Sequence, residues 1–179
     1  LREIGRALDL LEGPARARAQ AQRGAIRQAF GRIEEARADY AMALQTLPED
    51  DVQWRQRVLM NSGMLNTVAH DYAAATADLE AAEQLCAEHG LDAVGALVHE
   101  NLVGLRRTVG DVPGALLHLD EGERLARKVG ASLGPLMWER AELLISLNLS
   151  DEAREAAEVA VTEYQRSGRP LYATDARLL

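Results

Sequence analysis

Apolar residues recur along most of the chain with the period of an α-helix. In each predicted first helix they lie seven and then four residues apart, which places them on one face of a helix with 3.6 residues per turn. The sets are Ala19, Ile26 and Phe30; Val58, Leu65 and Ala69; Val98, Leu105 and Val109; and Leu136, Leu143 and Leu147. No segment shows the alternation typical of a half-buried strand. The pattern predicts an all-α protein.

The helical segments are related by an internal repeat of about 39 residues. The second helices of four segments align on one alanine, here called the alignment alanine, and a small residue follows it seven positions later. The alignment alanines are Ala36, Ala75, Ala115 and Ala153, and the small residues are Ala43, Ala82, Gly122 and Ala160. Small residues at this spacing let a neighbouring helix approach closely. Each repeat is predicted to be a helical hairpin that stacks on its neighbours.

These repeats predict one domain over residues 1–179, a right-handed α-solenoid with four helical hairpins and partial flanking helices. The expected elements are a flanking helix at 1–12, hairpins at 15–47, 51–89, 91–129 and 132–167, and the start of a further helix at 171–179. Gly90, Gly130 and Gly168 each follow an alignment alanine by fifteen residues. A helix end favours glycine there because glycine tolerates positive φ. The helical pattern runs to both chain ends, so we interpret the chain as a fragment of a longer protein.

Composition and charge narrow the classes of function. Alanine supplies 31 of the 179 residues and aromatic residues only 4%, which favours closely packed helices. The net charge of -8 argues against nucleic acid or an anionic membrane as the partner. No apolar stretch is long enough to span a membrane, and a single cysteine cannot form an internal disulfide. We therefore expect a cytoplasmic protein.

Catalytic and metal-binding motifs are sparse. Cys86 and His89 lie three residues apart and could hold a metal or pair a nucleophile with its base. A buried structural thiol is the favoured interpretation because no further ligand completes the site. His70, His99 and His118 are scattered over separate helices. No glycine-rich phosphate loop or nucleophile elbow occurs. We expect no enzymatic activity, no metal and no cofactor.

Two groups of charged residues are explained more simply by structure than by chemistry. The paired carboxylates lie at the start or on the predicted exposed face of second helices, where water and the helix dipole stabilise them. They are Glu34, Glu35, Asp120, Glu121, Glu123, Asp151 and Glu152. An arginine stretch could bind a phosphate or an acidic peptide, but pairing with acids of the flanking helix is favoured. It comprises Arg16, Arg18, Arg23, Arg27 and Arg32.

The repeats resemble the tetratricopeptide repeat family over almost the whole chain. The first repeat carries residues at the family's signature positions, namely Gly24, Gly31, Ala36, Tyr40, Ala43 and Pro48. The chain departs from the pattern because the consensus tryptophan is absent and because Val103 and Ala141 replace the usual glycine. The period also exceeds the usual value of about 34 residues, which suggests longer helices.

A narrower resemblance concerns the C-terminal part of the chain. The run ERAELLISLNLSDEAREAAEVAVTEYQRSG, followed by ATDARLL, is similar to the repeat arm upstream of CHAT (caspase-like) protease domains in actinobacterial proteins. The excess of arginine over lysine, 19 to 1, fits such a high-GC source. This resemblance implies a regulatory or sensing arm of a cysteine protease whose catalytic domain lies outside this chain.

The family resemblance also implies a binding groove. In tetratricopeptide repeats the first helices line a concave groove, and an asparagine two residues before the helix glycine often bonds the backbone of a bound peptide. Asn61 and Asn101 match that position, and a bond between helices is the alternative role for their amides. The other expected groove residues are Arg57, Met60, Met64, Thr67, Leu97, Glu100, Gly104, Arg107, Trp138 and Glu142.

The expected function is a protein–protein interaction scaffold. The groove would bind a peptide or a partner domain, either from another protein or from the same chain. The alternative is the regulatory arm of the CHAT-type protease. A homodimer through the ends of the solenoid is a further expectation, because truncated solenoids expose apolar end faces.

Overall fold

The computed structural model describes residues 10–169 together with residues 4, 6, 8 and 172. Much of the flanking helix predicted at 1–12, and nearly all of the helix start predicted at 171–179, lie outside the described residues. From Gly13 to Arg169 the chain forms eight α-helices and no strand. They are α1 (Gly13–Ala29), α2 (Ile33–Thr46), α3 (Val52–Val68), α4 (Tyr72–Glu88), α5 (Asp92–Thr108), α6 (Val112–Val129), α7 (Gly134–Ser146) and α8 (Ser150–Arg166).

Consecutive helices pack in pairs, α1 with α2, α3 with α4, α5 with α6 and α7 with α8. The described residues form two compact units that meet in sequence between His89 and Gly90. In the first unit α3 also packs against α1 and α2, and in the second unit α7 also packs against α5 and α6. Helix pairs that pack consecutively confirm the predicted all-α repeat fold and are consistent with an α-solenoid.

The small residues that define the repeat are in the core. The alignment alanines Ala36, Ala75 and Ala115 have no exposed surface, and Ala153 is 3% exposed. The small residues seven positions later are buried as well, at Ala43, Ala82, Gly122 and Ala160. The second helix of every hairpin therefore packs through small side chains, as the spacing predicts.

Side-chain size is matched between two positions of each hairpin, twelve residues before and four residues after the alignment alanine. A Cβ atom on Gly24 would lie 2.8 Å from the ring of Tyr40, and one on Gly63 would lie 2.5 Å from Leu79 Cγ. Glycine is required there because the facing side chain is large. The four pairs are Gly24 and Tyr40, Gly63 and Leu79, Val103 and Leu119, and Ala141 and Ala157. Val103 and Leu119 lie in one core cluster, and Ala141 and Ala157 lie in another. In these two hairpins the contact is therefore filled by side chains of more similar size at the two positions.

The predicted apolar stripe of the first helices is correct only in part. Its first two members are buried in the second, third and fourth repeats, but its third member is the residue that ends the helix. Helical periodicity no longer sets the side-chain direction at that residue, and Phe30 is 73% exposed. In α1 the stripe itself is wrong, since Ala17, Ala21 and Gly24 form the buried face.

The turn within each hairpin holds one residue with positive φ, five positions before the alignment alanine. Glycine occupies this position twice, at Gly31 and Gly110. His70 has a φ of 60° and Asn148 a φ of 59°, which histidine and asparagine tolerate better than most residues. The glycines predicted to end second helices also have positive φ, with values of 63°, 67° and 71° at Gly90, Gly130 and Gly168.

Candidate functional site

An open groove of about 280 Å³ lies between the first helices of the first unit. Its walls are Ala21, Gln22 and Ala25 from α1, and Trp54, Arg57 and Asn61 from α3. The two alanines leave room on one side, whereas α3 provides a large aromatic ring and two polar side chains. None of these six residues is acidic. We call this feature the α1–α3 groove.

Arg57 gives the α1–α3 groove a positive charge held over an aromatic face. Its guanidinium carbon lies 5.3 Å from the centroid of the Trp54 ring, within the range of a cation–π contact. The arginine side chain is exposed, whereas Trp54 is half-buried. The planar guanidinium is well suited to bind a carboxylate with two parallel hydrogen bonds.

Asn61 forms a hydrogen bond between two helices, which is the alternative role predicted for its amide. Its side chain is hydrogen-bonded to Tyr40 of α2, and the Tyr40 hydroxyl donates to Gln28 Oε1 at 2.7 Å. Burial raises the pKa of Tyr40 to about 12, partly offset by the bond from Asn61. The amide of Asn61 is thus fixed at the groove wall. An amide has one acceptor and two donor hydrogens, so this bond is compatible with a further one to a peptide.

The other predicted groove residues of α3 are more ordinary. Met60 is half-buried and Met64 is 39% exposed, so both can contribute apolar surface. The Thr67 hydroxyl donates to the carbonyl oxygen of Gly63 on its own helix at 2.9 Å. The hydroxyl group of Thr67 therefore has its hydrogen-bond partner within its own helix.

In the second unit, α5 and α7 bring four charged side chains together, which we call the acidic cluster: Glu100, Arg107, Glu139 and Glu142. Arg107 Nη2 lies 3.3 Å from Glu139 and closer still to Glu142. Burial raises the pKa of Glu100 to about 7, with a further contribution from the charge of Glu139, while Arg169 acts in the opposite direction. Burial also raises the pKa of Glu139. Three carboxylates around one arginine leave this cluster with an excess of negative charge.

The remaining predicted groove residues of the second unit have different surroundings. Asn101 Nδ2 donates to the carbonyl oxygen of Leu97 on its own helix at 2.7 Å. Leu97 itself is 47% exposed. Trp138 is half-buried and packs against the cluster of Met137, Ala160 and Tyr164. A Cβ atom on Gly104 would lie 3.9 Å from the Glu139 carboxylate, an ordinary van der Waals contact, so a methyl group fits at this glycine.

Four arginines of the stretch pair with acids of α2 and of the residues just before α3. Arg23 and Arg27 both bind Asp39 of α2, at 2.7 and 2.6 Å. Arg18 binds Asp51 at 2.7 Å, and Arg32 pairs with Glu35. The acids of the flanking helix lie largely outside the described residues, so the expected pairing with them stays a prediction. The second helix packs directly on α1 and provides Glu35 and Asp39.

Asp39 belongs to a set of polar contacts that the sequence analysis missed. The residue three positions after the alignment alanine faces the first helix of the same hairpin. In the second repeat it is Asp78, which accepts hydrogen bonds from Ser62 at 2.7 Å and from Asn66 at 2.9 Å. The aligned repeats place Asp39, Asp78, His118 and Ala156 in this column, where Asp78 is half-buried and the other three are buried.

In the third repeat the same position brings two histidines together. His118 Nδ1 lies 3.1 Å from His99 Nδ1, and the exposed fractions of the residues are 8% and 5%. The ring centroids are 5.3 Å apart. Burial, reinforced by His118, lowers the pKa of His99 to about 4, so its ring is neutral at pH 7. The prediction that these histidines are scattered is therefore wrong, because α5 and α6 pack face to face.

Cys86 is a buried thiol, as the favoured interpretation predicts. It is 4% exposed, whereas His89 is exposed at the end of α4. Burial raises the pKa of Cys86, with a smaller contribution from Glu83. The thiolate needed for nucleophilic attack or metal binding is thus disfavoured.

One of the paired carboxylates is not on an exposed face. Glu123 is 8% exposed and binds Arg127 at 2.8 Å and Arg140 of α7 at 2.6 Å. The expectation of a solvated position is wrong for this residue, because α7 packs over it. Asp120, three residues earlier, is exposed and also contacts Arg140, at 3.1 Å.

Comparisons with known proteins address the fold. The sequence matches no protein-family profile, and no curated protein matches it significantly. A crystal structure of BtubC (BKLC) from P. vanneervenii is similar, with a TM-score of 0.71 and 17% sequence identity over 91% of this chain and 77% of that chain. At this identity the likeness supports the helical fold alone. In the described part of the chain, no helix combines the length and the apolar character needed to cross a membrane.

Proposed function

We propose that the protein is an interaction module that binds an extended segment of a partner protein, and that the α1–α3 groove is its binding site. The observation that carries this proposal is the combination of walls in one groove: two alanines, an aromatic ring with a cation over it, and two amide side chains. Such a mixture of apolar surface and a few fixed polar groups is typical of peptide-binding grooves.

The groove chemistry specifies the segment. An apolar side chain would pack between Ala21, Ala25 and Trp54, and a neighbouring acidic side chain would meet Arg57. Asn61 and Gln22 would bond the peptide backbone, which does not depend on the partner's sequence. None of the six described lining residues is acidic and Arg57 is charged, so their charge favours an anionic ligand. The ligand class is therefore an extended peptide with adjacent apolar and acidic residues.

The experiment starts from a displayed library of random peptides selected on the folded chain. Affinities of enriched synthetic peptides are then measured by fluorescence anisotropy for the wild type and four variants. We expect Arg57→Ala to weaken binding about ten-fold, which corresponds to about 1.4 kcal/mol. Asn61→Ala should also weaken binding, and Ala25→Leu, which fills the groove, should abolish it.

Arg154→Ala is the matched control for the loss of an arginine. Arg154 is exposed on α8, and its ion-pair partners among the described residues are Asp151 and Glu158 of its own helix. Circular dichroism verifies that each variant is folded, which matters for Asn61 because of its bond to Tyr40. Peptides that bind Ala25→Leu and Arg57→Ala as tightly as the wild type would show that the groove is not the site.

The finer assignments from the sequence are also proposals. Membership of the tetratricopeptide repeat family is supported by the buried repeat positions and by the glycine–large pairs of the first two repeats. A role as the regulatory arm of an actinobacterial CHAT-type protease is supported by the sequence resemblance alone, and so is the actinobacterial source. Reading the gene beyond codon 179 tests that role, since it requires a downstream caspase-like block with its His and Cys. A cytoplasmic location is proposed from the cysteine usage.

A further inference from the structure

The two buried histidines of the second unit meet through the same ring atom. His99 comes from α5 and His118 from α6, and their Nδ1 atoms are 3.1 Å apart. Only one of these nitrogens can carry the proton if they share a hydrogen bond, so the other always presents a lone pair. A shift of the protonated ring to its Nε2–H tautomer would leave a lone pair on both Nδ1 atoms while each ring stays neutral.

The distance between the two nitrogens fits a shared metal ion. Two Zn–N bonds of about 2.05 Å that span 3.1 Å enclose an angle of about 100°, close to the tetrahedral value. Imidazole nitrogen is a preferred ligand for Zn²⁺, Cu²⁺ and Ni²⁺.

We propose that His99 and His118 form the protein half of a binding site for a divalent transition metal, with Zn²⁺ as the reference ion. This site is independent of the α1–α3 groove and goes beyond the proposed peptide binding. Both histidines belong to the α5–α6 hairpin.

Local packing explains why the rings can approach. Gly122 lies one turn after His118, and a Cβ atom there would be 3.1 Å from His99 Cβ and 2.9 Å from a methyl group of Leu136. The other three repeats have alanine at this position. Glycine thus lets α5 and α7 pack closely on α6 at the level of the histidine pair.

A third ligand is available at the rim of the pair. Glu121 lies one turn after His118 on the same helix, and its carboxylate interacts electrostatically with His99. Its present partner is the exposed Arg124, at 2.6 and 2.8 Å. Rotation of this carboxylate toward the rings would give two nitrogens and one oxygen, and water would complete the coordination.

The test uses the full chain freed of metal by a chelator. Zn²⁺ affinity is measured by competition with a chromophoric chelator, and Co²⁺ serves as a spectroscopic probe of coordination. The variants are His99→Gln and His118→Gln, which keep a polar group of similar size, and His89→Gln is the matched control at an exposed histidine beside Cys86. We expect one ion per chain, a loss of at least about ten-fold in affinity in each pair variant, and no change in the control.

A second measurement needs no variant. Long-range ¹H–¹⁵N spectra of the histidine rings in the wild type should show two rings whose Nδ1 resonances shift to metal-bound values when Zn²⁺ is added. Three outcomes would overturn the proposal: no Zn²⁺ binding by the folded wild type at micromolar concentrations, binding that survives both pair variants, or binding that is lost in His89→Gln.

Discussion

Asp39 and Asp78 occupy the same position in successive repeats, and each accepts hydrogen bonds from two side chains of the helix that precedes it. The donors also correspond, because Arg23 and Ser62 lie sixteen residues before their aspartate, and Arg27 and Asn66 lie twelve residues before it. The same geometry is thus built once from charged donors and once from neutral donors. A buried carboxylate is stable in the fold only while such donors are present.

Replacing Asp39 should destabilise the chain more than replacing Asp78. The Asp39→Ala variant removes the buried carboxylate that Arg23 and Arg27 share, and Arg27 keeps only the more exposed Glu35 at 3.1 Å among the described acids, which we expect to cost about 3–5 kcal/mol. The Asp78→Ala variant leaves only neutral donors unpaired, at about 1–3 kcal/mol. Free energies of unfolding from urea titration measure both. Asp120→Ala, at an exposed carboxylate, is the control and should change little; equal effects at Asp39 and Asp78 would contradict the assignment.

The glycine at the hairpin contact should be sensitive to a single added methyl group. In Gly63→Ala the new Cβ atom would lie 2.5 Å from Leu79 Cγ. We therefore expect the free energy of unfolding to fall by about 1–3 kcal/mol, although alanine has the better helix propensity. Gly104→Ala is the matched control, because its Cβ would meet only the Glu139 carboxylate at 3.9 Å. We expect Gly104→Ala to raise the free energy of unfolding by up to about 1 kcal/mol.

A double-mutant cycle identifies the cause of the effect at Gly63. If overpacking is responsible, Gly63→Ala should be less damaging in a Leu79→Ala background, with a coupling of about 1 kcal/mol. Additive effects would mean that the two residues do not press on one another.

The turn residue Asn148 should tolerate glycine with a gain in stability. Its φ of 59° is strained for most side chains but not for glycine, and no described contact of its side chain has to be given up. We expect Asn148→Gly to raise the free energy of unfolding by up to about 1 kcal/mol, as measured by thermal or urea unfolding. Gly31→Ala, at the equivalent turn with a φ of 70°, should have the opposite sign. A loss of stability in both variants would contradict this explanation.

The pKa of Glu100 predicts a pH dependence of stability. Its pKa is about 7 in the folded chain against an ordinary value of 4.5, so the folded chain holds this proton more tightly. The protonated form of Glu100 contributes fully to the free energy of unfolding below pH 4.5. This contribution is lost as the pH rises through about 7, and the total loss is at most about 3 kcal/mol. Glu100→Gln should remove this dependence and be more stable than the wild type at pH 8. Glu158→Gln, at an exposed position, is the control, and identical pH profiles for wild type and Glu100→Gln would contradict the prediction.

The sequence was sufficient to predict the hairpins but not the contacts between their polar residues. Ala36, Ala75, Ala115 and Ala153 reveal the repeat because small residues are required wherever two helices approach closely, whatever else varies. The partner of a buried polar residue is not fixed in this way. His118 finds His99 whereas Asp39 finds two arginines, and the rotation of one helix against the next decides which residues meet. Apolar periodicity leaves that rotation uncertain by a fraction of a turn, as the incorrect stripe of α1 shows.

The sequence also did not determine the hydrogen-bond partners of the predicted groove residues. Arg57 and Asn61 line the α1–α3 groove, whereas Asn101, which matches Asn61 in the repeat alignment, donates to the carbonyl oxygen of Leu97. An asparagine can satisfy itself within its own helix or across to another, and its spacing in the sequence is the same in both cases.

Binding of an extended peptide in the α1–α3 groove can be located residue by residue by chemical-shift mapping. A peptide from the selection described above is titrated into ¹⁵N-labelled protein, and side-chain and backbone resonances are followed. The largest changes should fall on the Trp54 indole, the Asn61 and Gln22 amides and the backbone of Ala25. Changes confined to α2 and α4, with these four residues unperturbed at saturation, would contradict binding in this groove.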